Sequence, residues 1–370
     1  MKKHIYYAIF HVLTVLSSII FVTTTIGFNL PLMLILSGIG TLIFMICTKK
    51  ELPIVCSISG SYTAGIIAVS ATYGAEYAVG GTLLAGLIYI VVGLLIKKYP
   101  NILNLFPKYI LSVAVLLISL NLLPIGVNVA STQPVTALVT LIAVLITSMI
   151  PKVKTYSFPI ALTIGTLFHA VTVGLTPSAM ATELALTFPK FNLYSFTLIG
   201  SVAFCILFEA LGDCRLMADS VGKELKPHRV ILGNGLATFV GSLFGGAPLT
   251  SYTESVAYVR DTKHFSPVSI VISAILLIVL GFIPQLTMLI SYIPTACFGA
   301  LLIYLFSMVM INTVNTLDFA NERQIKVCII AIAFFFIGPV AIPSISPIAL
   351  GILTATVANK VLKQGDYNGN

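Results

Sequence analysis

The chain has 370 residues, 58% of them hydrophobic and 9% charged, with a mean hydropathy of +1.06 and a formal net charge of +8. A soluble domain of this size has no interior for so much apolar surface, so the composition specifies a polytopic membrane protein. The positive charge lies in short clusters between apolar runs, the pattern of cytoplasmic loops, and is not read as a nucleic-acid footprint.

Taken in order, the apolar runs predict an all-α membrane protein of fourteen segments, seven plus seven, with short extended stretches breaking segments 3 and 10. Met1-Lys2-Lys3-His4 and the run after it imitate a signal peptide but offer no small-residue cleavage site, so the first span is read as retained, at about 5–26. The second span covers 29–48, and Lys49-Lys50-Glu51 closes the hairpin. A broken third segment runs from Pro53 to Val69, followed by an external loop at Tyr73–Tyr77 and a fourth span at 79–96. Spans five to seven fall at 109–125, 133–150 and 158–175. A loop near 176–194 with Glu183 and Lys190 separates the halves.

The second half opens with a span at 195–213 and the longest polar loop, Asp213 to Arg229. Segments at 230–245, 248–260, 266–286, 292–313, 325–342 and 345–361 complete it. With the N-terminus inside, all of the 20 Lys and Arg except Lys190 fall on the cytoplasmic side, which places both termini in the cytoplasm and the protein in the cell membrane. An odd number of spans per half makes residues 1–175 and 195–361 inverted repeats. An echo supports the duplication: Ser61-Tyr62-Thr63 and Ser251-Tyr252-Thr253 are 190 residues apart (251 − 61 = 190) and both follow a break.

Gly245-Gly246-Ala247-Pro248 cannot continue a helix cleanly, and Glu254 lies just beyond it, where charge is expensive. Interrupted hydrophobic segments with an acidic residue point to a transporter site. Most other acidic residues fall in loops or the tail, which leaves Glu209 and Asp213 inside a span, on one helical face at i, i+4. Hydroxyl groups cluster at both breaks, with Ser61 beside Gly60 in the first and Tyr252 and Thr253 in the second. They are expected to bond a polar ligand or the broken backbone, and Gly60 to allow close backbone approach. Asn234 is either a helix cap or a supporting site residue. His11 and His169 lie within spans, where a lone histidine either carries protons or bonds its bundle. The six cysteines show no CxxC spacing, so no metal or other cofactor is expected.

These residues resemble the nucleobase–ascorbate transporter family, which includes uracil and xanthine permeases. Phe10-His11-Val12-Leu13 resembles the family's Gln-His motif, and Ser57-Ile58-Ser59-Gly60-Ser61 lies where the family has Gly-Ser-Ser-Phe-Ala. Glu209-Ala210-Leu211-Gly212-Asp213 resembles its Glu-x-x-Gly-Asp form, and Gly245 to Tyr252 its approach to the tenth segment. Glu254-Ser255-Val256-Ala257 opens its signature, with Ser255 in place of Asn and Ala257 in place of Gly.

The resemblance implies a core domain (about 5–96 and 195–286) moving against a gate domain (about 109–175 and 292–361), often in a homodimer through the gate. It implies that Glu209 and Glu254 hold the base. The resulting expectation is a proton-coupled nucleobase symporter and no enzyme, with Glu209, Asp213 and His11 linked to the proton and Asn234 and Ser255 in support. Na+ stays open as the coupling ion. Glu-x-x-Gly-Asp tilts the substrate to xanthine or another purine over uracil. The alternative on the same architecture is an anion carrier of the sulfate-permease type.

Overall fold

A computed structural model of the chain describes residues 2–101, 108–151, 153–177, 183–222, 225–315, 317–318, 320–343 and 345–368. The first half runs α1 (Lys2–Ile26), α2 (Leu30–Cys47), β1 (Cys56–Ile58), a single 3-10 turn (Gly60–Tyr62), α3 (Thr63–Tyr73), α4 (Ala75–Lys98), α5 (Lys108–Ala130), α6 (Pro134–Met149) and α7 (Ser157–Thr172). The second half repeats this order as α8 (Leu193–Val221), α9 (Pro227–Leu243), β2 (Leu249–Ser251), α10 (Thr253–Thr262) and α11 (Pro267–Gly281), then a short extra helix α12 (Pro284–Ser291), then α13 (Thr295–Val314), α14 (Glu322–Ala341) and α15 (Pro347–Asn368). Among the described residues, five helices are long and apolar enough to cross a membrane: α1, α2, α4, the 112–130 part of α5, and α14.

Helix starts follow local chemistry. The Asn29 and Asn192 side chains accept hydrogen bonds from Leu32 N and Ser195 N, capping α2 and α8. Proline occupies the first turn of α6, α9 and α11, where its missing N–H costs nothing.

Three boundaries differ from the sequence reading. The polar stretch after Asp213 is not a loop. Ala210, Cys214 and Met217 keep the helical spacing and are buried, so α8 continues to Val221 and ends at Gly222 in the left-handed region, φ 64°. Only Gly74 separates α3 from α4, because Glu76 sits in the first turn of α4 rather than in a loop. The predicted span at 266–286 stops at Gly281, and Pro284 opens α12 as a separate helix.

The helices pack in two groups. In one, α4 lies on α9 and α8, α2 on α9 and α11, and α1 on α11. In the other, α5 lies on α13 and α15, α14 on α15, and α6 on α7 and α13. Small residues let backbones approach at the crossings, Gly38 against the chain at Ala274 and Gly299 against that at Ala130. Apolar side chains such as Leu138, Met149, Val171 and Val340 remain exposed on the outside, as contact with lipid requires.

An extended strap from 183 to 192 crosses one end of the first group. The Asn29 side chain donates to the Glu183 carbonyl (2.7 Å), Thr187 N to Phe244 O (3.4 Å) and Lys190 N to Glu76 O (2.9 Å). Gly245, at φ 102°, admits the Thr187 backbone, which any Cβ there would strike. From this end α2 and α4 run to Lys49 and Lys97-Lys98, and α9 runs the opposite way, from Arg229. Arg229 pairs with Glu51 at 2.6 Å at that far end.

Candidate functional site

β1 and β2 pair antiparallel, with Cys56 opposite Ser251, Ser57 opposite Thr250 and Ile58 opposite Leu249. A two-stranded ribbon in an apolar medium has two bare edges, and every N–H and C=O on them needs a partner. Side chains supply these partners. Thr41 on α2 accepts from Cys56 N (3.0 Å) and lies 3.1 Å from Cys56 O. Thr238 on α9 treats Leu249 in the same way, at 3.0 and 2.8 Å. Asn234 Oδ1 accepts from Ser251 N (2.9 Å), and Ser255 Oγ accepts from Val55 N (2.7 Å).

Each strand then feeds a helix whose N-terminus opens on a cavity. α3 begins at Thr63 and α10 at Thr253, again 190 residues apart (253 − 63 = 190). The cavity has a volume of about 840 Å³ and lies between the two helix groups. Free N–H groups of a helix N-terminus favour carbonyl oxygens and anions. Phe21 and Val22 of α1 and Phe298 and Leu302 of α13 form an apolar wall. The lining continues to Lys154, Arg215 and Arg260, so the cavity reaches the basic end of the molecule.

Four carboxylates line this cavity, Glu209, Asp213, Glu254 and, at its mouth, Asp261, and each of the first three accepts from a serine hydroxyl of another element. Ser18 of α1 donates to Glu254 Oε1 (2.9 Å), Ser61 to Glu209 Oε2 (3.3 Å) and Ser251 to Asp213 Oδ2 (3.1 Å). Glu254 stands in the first turn of α10, where the helix dipole favours negative charge. Asp213 is 3% exposed and lies inside α8, one turn beyond Glu209.

The other predicted residues divide. Gly60, Ser61 and Tyr252 line the cavity. A Cβ on Gly60 would meet Val22 Cγ2 only at 3.6 Å, so no protein neighbour demands glycine there, and the open side faces the cavity. The side chain of Thr253 lies outside the described residues. Asn234 is a buried edge partner of β2 within α9 rather than a cap. His11 of α1 and Ser255 of α10 meet outside the cavity lining. His11 Nε2 is 2.7 Å from Ser255 Oγ, and the ring stacks on Tyr258 at 4.6 Å. His169 bonds Thr136 (3.0 Å) between α6 and α7.

Ser18 and the apolar wall escaped sequence reasoning. Ser17-Ser18 is a polar pair in an apolar span, and nothing in its spacing announces a distant glutamate. The wall residues are ordinary span residues until the fold turns them inward.

Comparison with known proteins places this geometry. The Xan_ur_permease model, described as the permease family, matches residues 2–344. The uracil permease of Bacillus caldolyticus is 30% identical over 95% of this chain and 90% of its own length. The putative pyrimidine permease RutG of Escherichia coli K12 is 26% identical over 81% and 74%, and the uracil permease of Bacillus subtilis 27% over 96% and 91%.

Among solved structures, the transmembrane domain of the cyanobacterial bicarbonate transporter BicA superposes with a TM-score of 0.68 at 16% identity, covering 97% of both chains. Murine Slc26a9, an anion transporter in its inward-facing state, does so at 0.78 and 10%, covering 99% of this chain and 69% of that one. These two share the fold, a polytopic helical membrane protein of two inverted repeats. The family model and the curated relatives go further and mark a transport protein rather than an enzyme: the chain belongs to the permease family that the Xan_ur_permease model describes.

Proposed function

We propose that the chain imports a nucleobase together with a proton by alternating access, with uracil as the first candidate substrate. One observation carries this reading. Glu209, inside α8, and Glu254, in the first turn of α10, face one cavity onto which the N-termini of the two short helices α3 and α10 open. A nucleobase edge presents N–H donors next to carbonyl acceptors. Carboxylates accept from the former, and helix amides donate to the latter. Phe21 and Phe298 supply apolar surface for a flat ring.

Uracil is preferred because the curated relatives are uracil and pyrimidine permeases. The purine preference drawn from Glu-x-x-Gly-Asp has no counterpart among those names, and xanthine becomes the second arm of the test. An anionic substrate fits poorly with two carboxylates aimed at the site, although both fold neighbours carry anions.

In this reading the helix group of α1–α4 and α8–α11 is the mobile core, and the group of α5–α7 and α13–α15 is the gate and a dimer surface. The cavity reaches the end that carries the basic residues, so the protein faces inward, with both termini in the cytoplasm. Glu209 links proton to base, because a carboxylate in a low-dielectric site can bind a proton in one state and a ligand edge in the other.

The test is uptake of radiolabelled uracil and xanthine into proteoliposomes, with and without an inward proton gradient, beside Glu209→Gln. Gradient-driven uptake of uracil, lost in the variant, is expected. Gradient-driven uptake of xanthine alone would reverse the substrate order. Sodium-driven uptake would remove the proton, and bicarbonate or sulfate flux without base uptake would restore the anion reading.

A further inference from the structure

The cavity is larger than a free base needs, and its charge is unevenly spread. At about 840 Å³ it falls among pockets that enclose drug-sized ligands, roughly 300–1,000 Å³, so a single pyrimidine ring leaves most of it open. Acids and cations are set apart along two helices. Arg215 follows Glu209 by six residues on α8 (215 − 209 = 6), and Arg260 follows Glu254 by six on α10 (260 − 254 = 6). All four residues line the cavity. At about 1.5 Å of rise per residue, each arginine is rooted about 9 Å along its helix from the glutamate.

Lys154 joins the two arginines in the lining. Asp261 lies 3.3 Å from Lys154 Nζ and 3.9 Å from Arg260 Nε, so one carboxylate serves two cations. Arg215 is exposed and has no ion-pair partner among the described residues. Three cations against one acid leave the mouth with a formal charge of +2 (3 − 1 = 2). The depth of the cavity, at Glu209 and Glu254, is acidic. A ligand that suits both ends has an uncharged N–H edge at one end and an anion at the other. In a pyrimidine nucleoside 5′-monophosphate the ring N–H and the phosphorus are about eight bonds apart, roughly 9 Å when extended at about 1.1–1.2 Å per bond. Its phosphate carries about −1.5 to −2 charges near pH 7. Guanidinium forks bind phosphate oxygens two at a time.

We infer that the cavity also binds a pyrimidine nucleoside 5′-monophosphate, with its base edge at Glu209 and Glu254 and its phosphate on Arg215 and Arg260, and that this ligand competes with the free base. The inference rests on the nucleobase reading above. In that reading the mouth faces the cytoplasm, where nucleotides are confined because a phosphate dianion does not cross lipid. Base already converted to nucleotide inside the cell then closes the carrier to further base.

The experiment uses the purified full chain in lipid nanodiscs and measures displacement of radiolabelled uracil by uridine 5′-monophosphate, uridine, ribose 5-phosphate and inorganic phosphate. The monophosphate should act at about tenfold lower concentration than uridine, and the two phosphates without a base should not displace uracil. Raising salt from about 0.1 M to about 1 M should shrink this advantage. In the double variant Arg215→Gln, Arg260→Gln the advantage should fall below about threefold. It is a ratio within one protein, so any change in base binding itself divides out. Direct binding of radiolabelled uridine 5′-monophosphate is the second measurement and needs no uracil signal.

Uridine as effective as its monophosphate would overturn the inference and leave the mouth a solvated surface. Displacement by inorganic phosphate alone, or an advantage that survives both substitutions, would overturn it too. If the double variant does not fold, the wild-type comparison with uridine and its salt dependence decide. Monophosphate bound directly by a wild type that binds no uracil would sink the uracil reading and keep the phosphate subsite. Binding of neither would overturn both.

Discussion

The two broken segments descend from one plan and have diverged in their work. Both place a three-residue strand ahead of a short helix, and the strands pair with each other. The first enters its helix through a turn at Gly60–Tyr62, and the first residues of α3 are Thr63, Ala64 and Gly65. Tyr62 there points into protein, its hydroxyl 2.6 Å from that of Tyr89. The second enters α10 directly from extended Tyr252, puts Glu254 in the first turn, and ends in Arg260 and Asp261 at the cavity mouth. One copy offers backbone and small polar groups. The other brings charge and is braced by α1, through Ser18 on Glu254 and His11 on Ser255. Duplication supplied the geometry twice, and the chemistry was then concentrated in one copy.

The largest effect is expected from neutralising the acids. Glu254→Gln and Glu209→Gln each remove an acceptor for a substrate N–H and should weaken uracil binding about 10–100-fold, read by radioligand binding. Equal losses would mean that the charged copy has no privilege over its partner helix α8.

Alanine at the two glycines sharpens the contrast. At Gly246 a Cβ would lie 2.6 Å from Leu36 Cδ1 and 2.8 Å from the Gly241 carbonyl, so Gly246→Ala should cost about 1–3 kcal/mol in thermal unfolding. Gly60→Ala meets only ordinary contacts and should leave the midpoint unchanged while weakening base binding. A fall in stability at Gly60 would show that the first break is as tightly packed as the second.

Ser18→Ala takes one hydroxyl from Glu254 and should lower affinity about 2–10-fold, with Ser18→Thr restoring it. Failure of threonine to rescue would assign Ser18 to packing.

The smallest effect is at the far end of α10. His264 bonds Ser269 (2.8 Å) and stacks on Tyr7 of α1, while His4 of α1 bonds Ser266 (3.1 Å). Burial first, then the neighbouring His4 and Lys3, holds His264 below its ordinary value of 6.5. The unfolded chain then binds the extra proton, so this contribution is complete above pH 6.5 and is lost as pH falls through the lowered value. Thermal unfolding between pH 7.5 and 5 should fall more steeply in wild type than in His264→Asn. Parallel slopes would remove His264 from the account.

Much of this architecture was legible in the chain. Apolar runs locate the helices, and intramembrane charge singled out Glu209, Asp213 and Glu254 because few reasons exist to keep a carboxylate there. The echo at Ser61 and Ser251 located both helix starts. Legibility failed where polarity and periodicity disagree. Asp213 and Arg215 look like the beginning of a loop, yet Cys214 and Met217 carry the helix on. It failed also for pairs that only the fold creates. Ser18 and Glu254 are 236 residues apart, and Ser255 meets Val55 across 200. No local pattern encodes such distances, and Asn234, equally readable as a cap, needed the edge of β2 to be assigned.

The shared ribbon bears on how the protein is made. β1 leaves the ribosome long before β2, its pairing partner, some 190 residues later (Ser251 to Ser61). At ordinary synthesis rates that interval is roughly 10–40 s, during which the first half waits in or beside the bilayer with a strand edge unmet. Thr41 can serve Cys56 at once, since both belong to the first half, but Val55 must wait for Ser255. The nascent first half is therefore a client for whatever shields polar backbone at the insertion site. Slowing translation between codons 60 and 250 should expose it to proteolysis before the rest of the chain arrives.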